Sequence, residues 1–227
     1  MDIVLIAGMW LDATAWKDVV PELEKLGHGP VALTLPGQGD GDTTATYADQ
    51  VAAVTAAVDA AHGPVLVVGH SAACALAWVA ADARSEKVAR VALIGGMPNA
   101  DGETYFGAFE PVDDVVPFPG WEPFEGPDSD DMSTELKAAV AHDAIAVPAT
   151  ITHAIVHLSD DRRYNVPVTR VCPEFTPAQA KVWVKAGEIP ELAKATRVDY
   201  VDINSGHWPM YTKPAELARI LADCTGA

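Results

Sequence analysis

The stretch PVLVVGHSAACALAW, residues Pro64 to Trp78, decides the fold. Val65 to Val68 form a continuous apolar run, the pattern of a strand buried on both faces. The small-residue run from Ala72 to Ala83 predicts a helix directly after it. Gly69-His70-Ser71-Ala72-Ala73 is all that lies between, so the serine stands on the turn itself. That is a G-x-S-x-A form of the nucleophile elbow. The turn is so tight that the serine backbone is strained and its oxygen is exposed. Residues two before and two after must be small, because larger side chains would strike the neighbouring strand and helix; Gly69 and Ala73 meet that need. The helix N-terminus then presents the Ala72 N–H to a developing negative charge. The plainer alternative is a serine N-cap on an ordinary βα turn, and the pentapeptide alone does not separate the two.

The flanking sequence supplies the context. DIVLIAG reads as a first buried strand, Thr14 to Leu26 as a helix interrupted by Pro21, and Pro30 to Leu35 as a second strand. Tyr47 to Ala61 is a helix with Val51, Val54 and Val58 on one face, and Val88 to Ile94 is a fourth strand. Strands alternating with helices imply right-handed βαβ units: an α/β fold with a mostly parallel, doubly wound sheet. The alternation fails over residues 99–165, which are rich in proline, aromatics and acid, and it resumes with a strand at Val166 to Cys172. A helix over Pro177 to Ala186, a strand over Arg197 to Ile203 and a helix over Pro214 to Ala222 complete the chain. The expected organisation is a core of residues 1–98 and 166–227 with a small, mainly helical lid, 99–165, inserted after the fourth strand. Within the lid, helical patterns cover Thr134 to Asp143 and Pro148 to Leu158.

Composition narrows the partners. The chain has 227 residues, 49% of them hydrophobic, and a formal net charge of -17. A surface this acidic repels nucleic acid and anionic lipid, which leaves a small molecule as the expected partner. No apolar run approaches the roughly 18 residues that span a bilayer. Cys74, Cys172 and Cys224 are too few and too scattered for a disulfide framework or a zinc pattern. With a strand starting at Asp2 or Ile3 there is no room for a signal peptide, so a cytoplasmic location is expected. Nothing in the sequence points to a metal or an organic cofactor, and nothing in it sets the oligomeric state.

Two further segments fit the serine. Gly8 and Met9 end the first strand, where the Met9 N–H can act as a second oxyanion donor and Trp10 can wall a pocket. Gly206-His207 follows the last strand, and a histidine there can reach a serine on another strand's end, taking its proton and returning it to the leaving group. His70 is the variable elbow residue, more often structural than catalytic. His153 and His157 are spaced as metal ligands on a lid helix, but no third ligand is evident and a solvated or packed face is the better reading.

With GHSAA, LPGQGDGD and SGHWPM…PAEL in view, the chain resembles the α/β-hydrolase superfamily over nearly its whole length, in particular its small esterase, lactonase and hydroxynitrile-lyase-like members. The resemblance implies Ser71 as nucleophile, His207 as base, and Met9 with Ala72 as oxyanion donors. The acid departs from the family pattern. Its usual place falls on Thr176, but Thr176-Pro177 reads as a helix start. Glu174, at the strand end, is the first choice and Asp101 the alternative; Asp202 lies inside the last strand.

Phe106, Phe109, Trp121, Phe124 and Met132 give the lid an apolar side, and Trp121 and Trp208 join Gly8, Trp10 and His70 as expected pocket residues. Arg162-Arg163 reads as a solvated hinge with local ion pairs. A serine hydrolase acting on a small, neutral, hydrophobic ester or lactone through an acyl-enzyme is the leading expectation. A lyase that uses the same groups to move protons, and a non-catalytic ligand-binding protein, are the alternatives.

Overall fold

A computed structural model describes residues 1–226. The chain opens with β1 (Asp2–Ile6), α1 (Val20–Lys25), β2 (Gly29–Leu33), α2 (Tyr47–Ala60), β3 (Val65–His70), α3 (Ala73–Ala83) and β4 (Val88–Ile94). The excursion that follows carries β5 (Val115–Val116), α4 (Thr134–Asp143), β6 (Val147–Pro148) and α5 (Ala149–Thr152). The chain then returns with β7 (Val168–Cys172), α6 (Pro177–Ala186), α7 (Pro190–Lys194), β8 (Val198–Asp202), α8 (Pro209–Thr212) and α9 (Pro214–Asp223).

Six strands form one sheet in the order β2-β1-β3-β4-β7-β8, every neighbouring pair parallel. Alternate residues of each strand face opposite sides, which splits the core in two. Ile3, Leu5, Leu66, Val68, Ala92 and Ile94 pack with Leu23 of α1 and Leu217 and Leu221 of α9. Val4, Ile6, Val65, Val67, Val91 and Leu93 pack with α2 and with α3, whose residues Ala73 to Asp82 are all buried. This explains why VLVV reads without alternation: both faces of β3 are covered.

Local chemistry sets the helix ends. Thr46 and Asp49 form a reciprocal capping box at the start of α2. Thr176 and Gln179 do the same for α6, with Pro177 in its first turn and Gly187 in the left-handed conformation at its end. This start for α6 is what leaves Glu174 in the short link after β7. The expected helix over Thr14–Leu26 is divided: a 3-10 turn covers Ala13–Trp16, and α1 begins with Pro21 in its first turn.

The excursion departs from expectation at two places. The helix expected over Pro148–Leu158 ends at Thr152. Beyond it the backbone pairs with 102–106, through Tyr105 N–H to Ala154 O at 2.8 Å and Val156 N–H to Glu103 O at 2.8 Å. Ile155 and Val156, just past the helix end, are β-branched and suit extended chain better than helix. His153 and His157 therefore do not share a helix face: His153 caps α5, and the exposed His157 lies 3.9 Å from Asp101.

Arg162-Arg163 is the second departure. Arg162 is exposed and pairs with Asp160 and Glu86, but Arg163 is buried between Asp82 and Glu191, at 3.1 and 2.9 Å. Glu191 also accepts from the Trp78 indole N–H at 2.9 Å, and Asp82 accepts the N–H groups of Ser159 and Asp160. The return of the excursion is thus pinned to α3 and α7 by a desolvated ion-pair network, not by a solvated hinge.

Candidate active site

Ser71, Met9, Glu174 and His207 all follow the C-terminal ends of strands, of β3, β1, β7 and β8 respectively. In a parallel sheet this is the rim where ligands bind.

Ser71 has φ of 54°, a left-handed backbone that non-glycine residues seldom adopt. Its N–H donates to Ile94 O at 2.8 Å, which ties the elbow to the end of β4. The turn is as tight as the sequence implied, because a Cβ on Gly69 would collide with the Ala73 carbonyl. Ala72 precedes α3 in helical conformation, so its N–H belongs to the unpaired first turn of that helix.

His207 is held from three sides. Its Nδ1 lies 2.9 Å from Glu174 Oε1, both side chains being largely buried. A carboxylate only accepts, so Nδ1 carries the proton of the neutral ring and Nε2 keeps a free lone pair. Its carbonyl oxygen is 2.8 Å from His70 Nε2, and its N–H donates to Asp128 O at 2.7 Å. The imidazole stands over Gly95, where a Cβ would come within 3.0 Å of Nδ1.

His70 is buried beside His207, the two ring centroids 5.0 Å apart. Because the His207 carbonyl can only accept, His70 must carry its proton on Nε2. Burial, with the neighbouring His207 as a lesser cause, holds its pKa well below the ordinary value, so the ring is neutral. Asp128 responds in the opposite sense: burial raises its carboxyl pKa, with His207 opposing and Glu174 reinforcing.

The loop after β1 lies directly on the elbow. A Cβ on Gly8 would sit 2.8 Å from Ser71 Cβ and 2.9 Å from His70 Nδ1. Trp10, with φ of 66°, takes the strained conformation that reverses this loop. Gln38, fully buried, clamps it: its amide nitrogen donates to Gly8 O at 2.6 Å and Leu11 O at 2.5 Å. Sequence reasoning missed Gln38. Its one signal is a polar side chain in LPGQGDGD, beside the end of β2.

Aromatic residues of the excursion close over this loop. The Trp10 ring lies 5.5 to 6.0 Å from those of Phe106, Phe109, Phe118 and Phe124, and its indole N–H donates to Val116 O. Trp208 meets Trp121 and Phe124 edge-on at 5.2 and 5.3 Å. Trp121 donates its indole N–H to Lys137 O. Met132 is buried in the same cluster as Trp208, against which Trp121 and Phe124 pack.

Asp101 stands apart. It is exposed, and its carboxylate accepts the Leu158 N–H at 2.9 Å. Asp202 is likewise exposed at the end of β8.

A parallel six-stranded sheet with a strained serine after its third strand and a carboxylate-bound histidine after its last defines the class of fold. The chain belongs to the alpha/beta hydrolase family, whose model matches residues 3–220. Among solved structures it resembles an extracellular alpha/beta-hydrolase from a Paenibacillus species, described as homologous in structure and function to tobacco salicylic acid binding protein 2 (TM-score 0.81, 19% identity, 98% of each chain). It also resembles a methylesterase from Arabidopsis (TM-score 0.78, 13% identity, 100% of this chain and 99% of the other). A pyrethroid hydrolase from Sphingobium faniae is similar as well (TM-score 0.73, 22% identity, 100% and 98%). No curated protein matches the sequence. Among the described residues, no helix is long and apolar enough to cross a membrane, and no group of three or more His, Cys, Asp or Glu side chains is placed to hold a metal ion.

Proposed function

We propose that the protein is a serine hydrolase that cleaves a small, neutral, hydrophobic ester or lactone through an acyl-enzyme. The observation that carries this reading is the Glu174–His207 contact, which in the neutral ring makes Nε2 the acceptor, on the rim where Ser71 is held in a strained turn. Nε2 takes the Ser71 proton as the oxygen attacks the carbonyl carbon, and the oxyanion is received by the N–H groups of Met9 and Ala72. The imidazolium, stabilised by Glu174, gives its proton to the leaving alcohol. Water, activated by the same nitrogen, then hydrolyses the acyl-enzyme.

Residues 99–165 act as the lid. Its phenylalanines around Trp10, together with Trp121 and Trp208, supply an aromatic wall beside Gly8 and His70, which favours an apolar acyl or alcohol group. The methylesterase and pyrethroid hydrolase among similar folds are consistent with ester chemistry. The acidic surface and three free cysteines fit a cytoplasmic enzyme with a small-molecule substrate.

Turnover of chromogenic acetate and butyrate esters tests the reading. The wild type should hydrolyse them and Ser71→Ala should not. Equal turnover by both proteins would overturn it.

A further inference from the structure

The Ser205–Trp208 loop is gripped by the excursion. Two consecutive amides point at one arm of it: Gly206 N–H donates to Asp131 Oδ2 at 2.8 Å, and His207 N–H to Asp128 O at 2.7 Å. The approach is so close that a Cβ on Gly206 would collide with the Asp128 carbonyl. Next along the chain, Trp208 packs on Trp121 and Phe124 of the same arm.

The arm is itself well braced. Ser129 is fully buried; its hydroxyl donates to Phe124 O at 2.6 Å and its N–H to Gly126 O at 3.0 Å. Met132 is buried in the core just beyond. Asp131 therefore stands on a fixed turn, and its carboxylate is a charge-assisted acceptor for the amide that precedes the histidine.

We infer that Asp131 is a positioning residue for His207, and that the 121–132 arm belongs to the machinery of the base as well as to the roof. The inference rests on the reading of His207 as the catalytic base. Glu174 occupies the imidazole Nδ1, so Asp131 acts through the backbone: it fixes the peptide from which the ring projects. Placement of a base to within a fraction of an ångström is worth orders of magnitude in rate, since a misplacement of about 1 Å can cost about a hundredfold.

The test compares Asp131→Ala, Asp131→Asn and Gly206→Ala in the full chain. It measures kcat and KM on the butyrate ester and the His207 Cε1–H resonance, assigned with His207→Gln. Asp131→Ala should lower kcat about tenfold with KM nearly unchanged, and should move or broaden the His207 resonance. Asp131→Asn, which keeps an acceptor oxygen, should restore most of the rate. Gly206→Ala, whose Cβ would collide with both the Asp128 carbonyl and the Asp131 carboxylate and so break the same contact from the histidine's side, should reproduce the loss. Wild-type kcat and an unmoved His207 resonance in folded Asp131→Ala would overturn the inference. So would a fully active Gly206→Ala, should Asp131→Ala fail to fold. If the wild type shows no ester turnover, the hydrolase reading fails on its own, and the resonance still decides whether Asp131 fixes the histidine.

Discussion

Glu174 Oε1 lies 2.9 Å from His207 Nδ1, although the two residues follow different strands, and the carboxylate reaches the ring from a link shortened by the start of α6. The longer glutamate side chain spans what a residue further along would otherwise span. Glu174→Gln should therefore lower kcat by at least about a hundredfold, because the amide can turn its NH2 toward Nδ1 and favour the wrong tautomer. Asp101→Asn, which keeps an acceptor for the Leu158 N–H, should stay within about twofold of wild type. Steady-state kinetics of the two variants checks both, and a reversed order would move the acid to Asp101.

Gln38 bridges the Gly8 and Leu11 carbonyls, on either side of Trp10 in its strained turn. Gln38→Ala leaves two buried carbonyls without that donor. It should cost about 1–3 kcal/mol in urea unfolding and lower kcat more than it raises KM, since the loop carries the proposed Met9 donor. Unchanged stability would show that the clamp is redundant.

Arg163 and Glu191 are buried partners at 2.9 Å. Glu191→Ala removes one of the two buried carboxylates on the guanidinium, leaving Asp82, and should destabilise the protein by about 1–3 kcal/mol, read from the urea midpoint. The kcat of the folded fraction should be unchanged, because the network lies at the return of the excursion and not at the rim.

His70 sets a pH dependence of stability. Its folded pKa lies well below the ordinary 6.5, so below that value the unfolded chain takes up a proton that the native ring refuses. Stability contributed by this site is complete above about pH 7 and falls as the pH drops through 6.5, at a limiting slope of about 1.4 kcal/mol per pH unit. His70→Asn, which keeps a donor for the His207 carbonyl, should flatten the curve between pH 5 and pH 6.5 by about one proton, as read from unfolding free energies on that interval. An unchanged slope would place the proton uptake elsewhere.

What the sequence made legible has a common character. Ser71, Gly69, the helix start at Thr176 and the histidine after the last strand are local patterns, in which near neighbours decide the backbone. Glu174 came into view because Thr176-Pro177 reads as a helix start, which left little room for an acid further along. The parts that stayed hidden depend on contacts distant in sequence. Gln38 gains its role from carbonyls about thirty residues away, and Asp131 from an amide still further off. Arg163 looked solvated because a charged run normally is, until Asp82 and Glu191 arrive from other elements. The helical periodicity over Pro148–Leu158 lost to backbone pairing with 102–106, as β-branched residues allow.

The most direct test of the central claim is the intact mass of the protein after exposure to a fluorophosphonate, followed by peptide mapping. The account predicts a single phosphonyl adduct on Ser71, absent in Ser71→Ala and formed at least about a hundredfold more slowly in His207→Ala. A folded wild type that stays unmodified at Ser71, or one whose labelling rate is indifferent to His207→Ala, would contradict it.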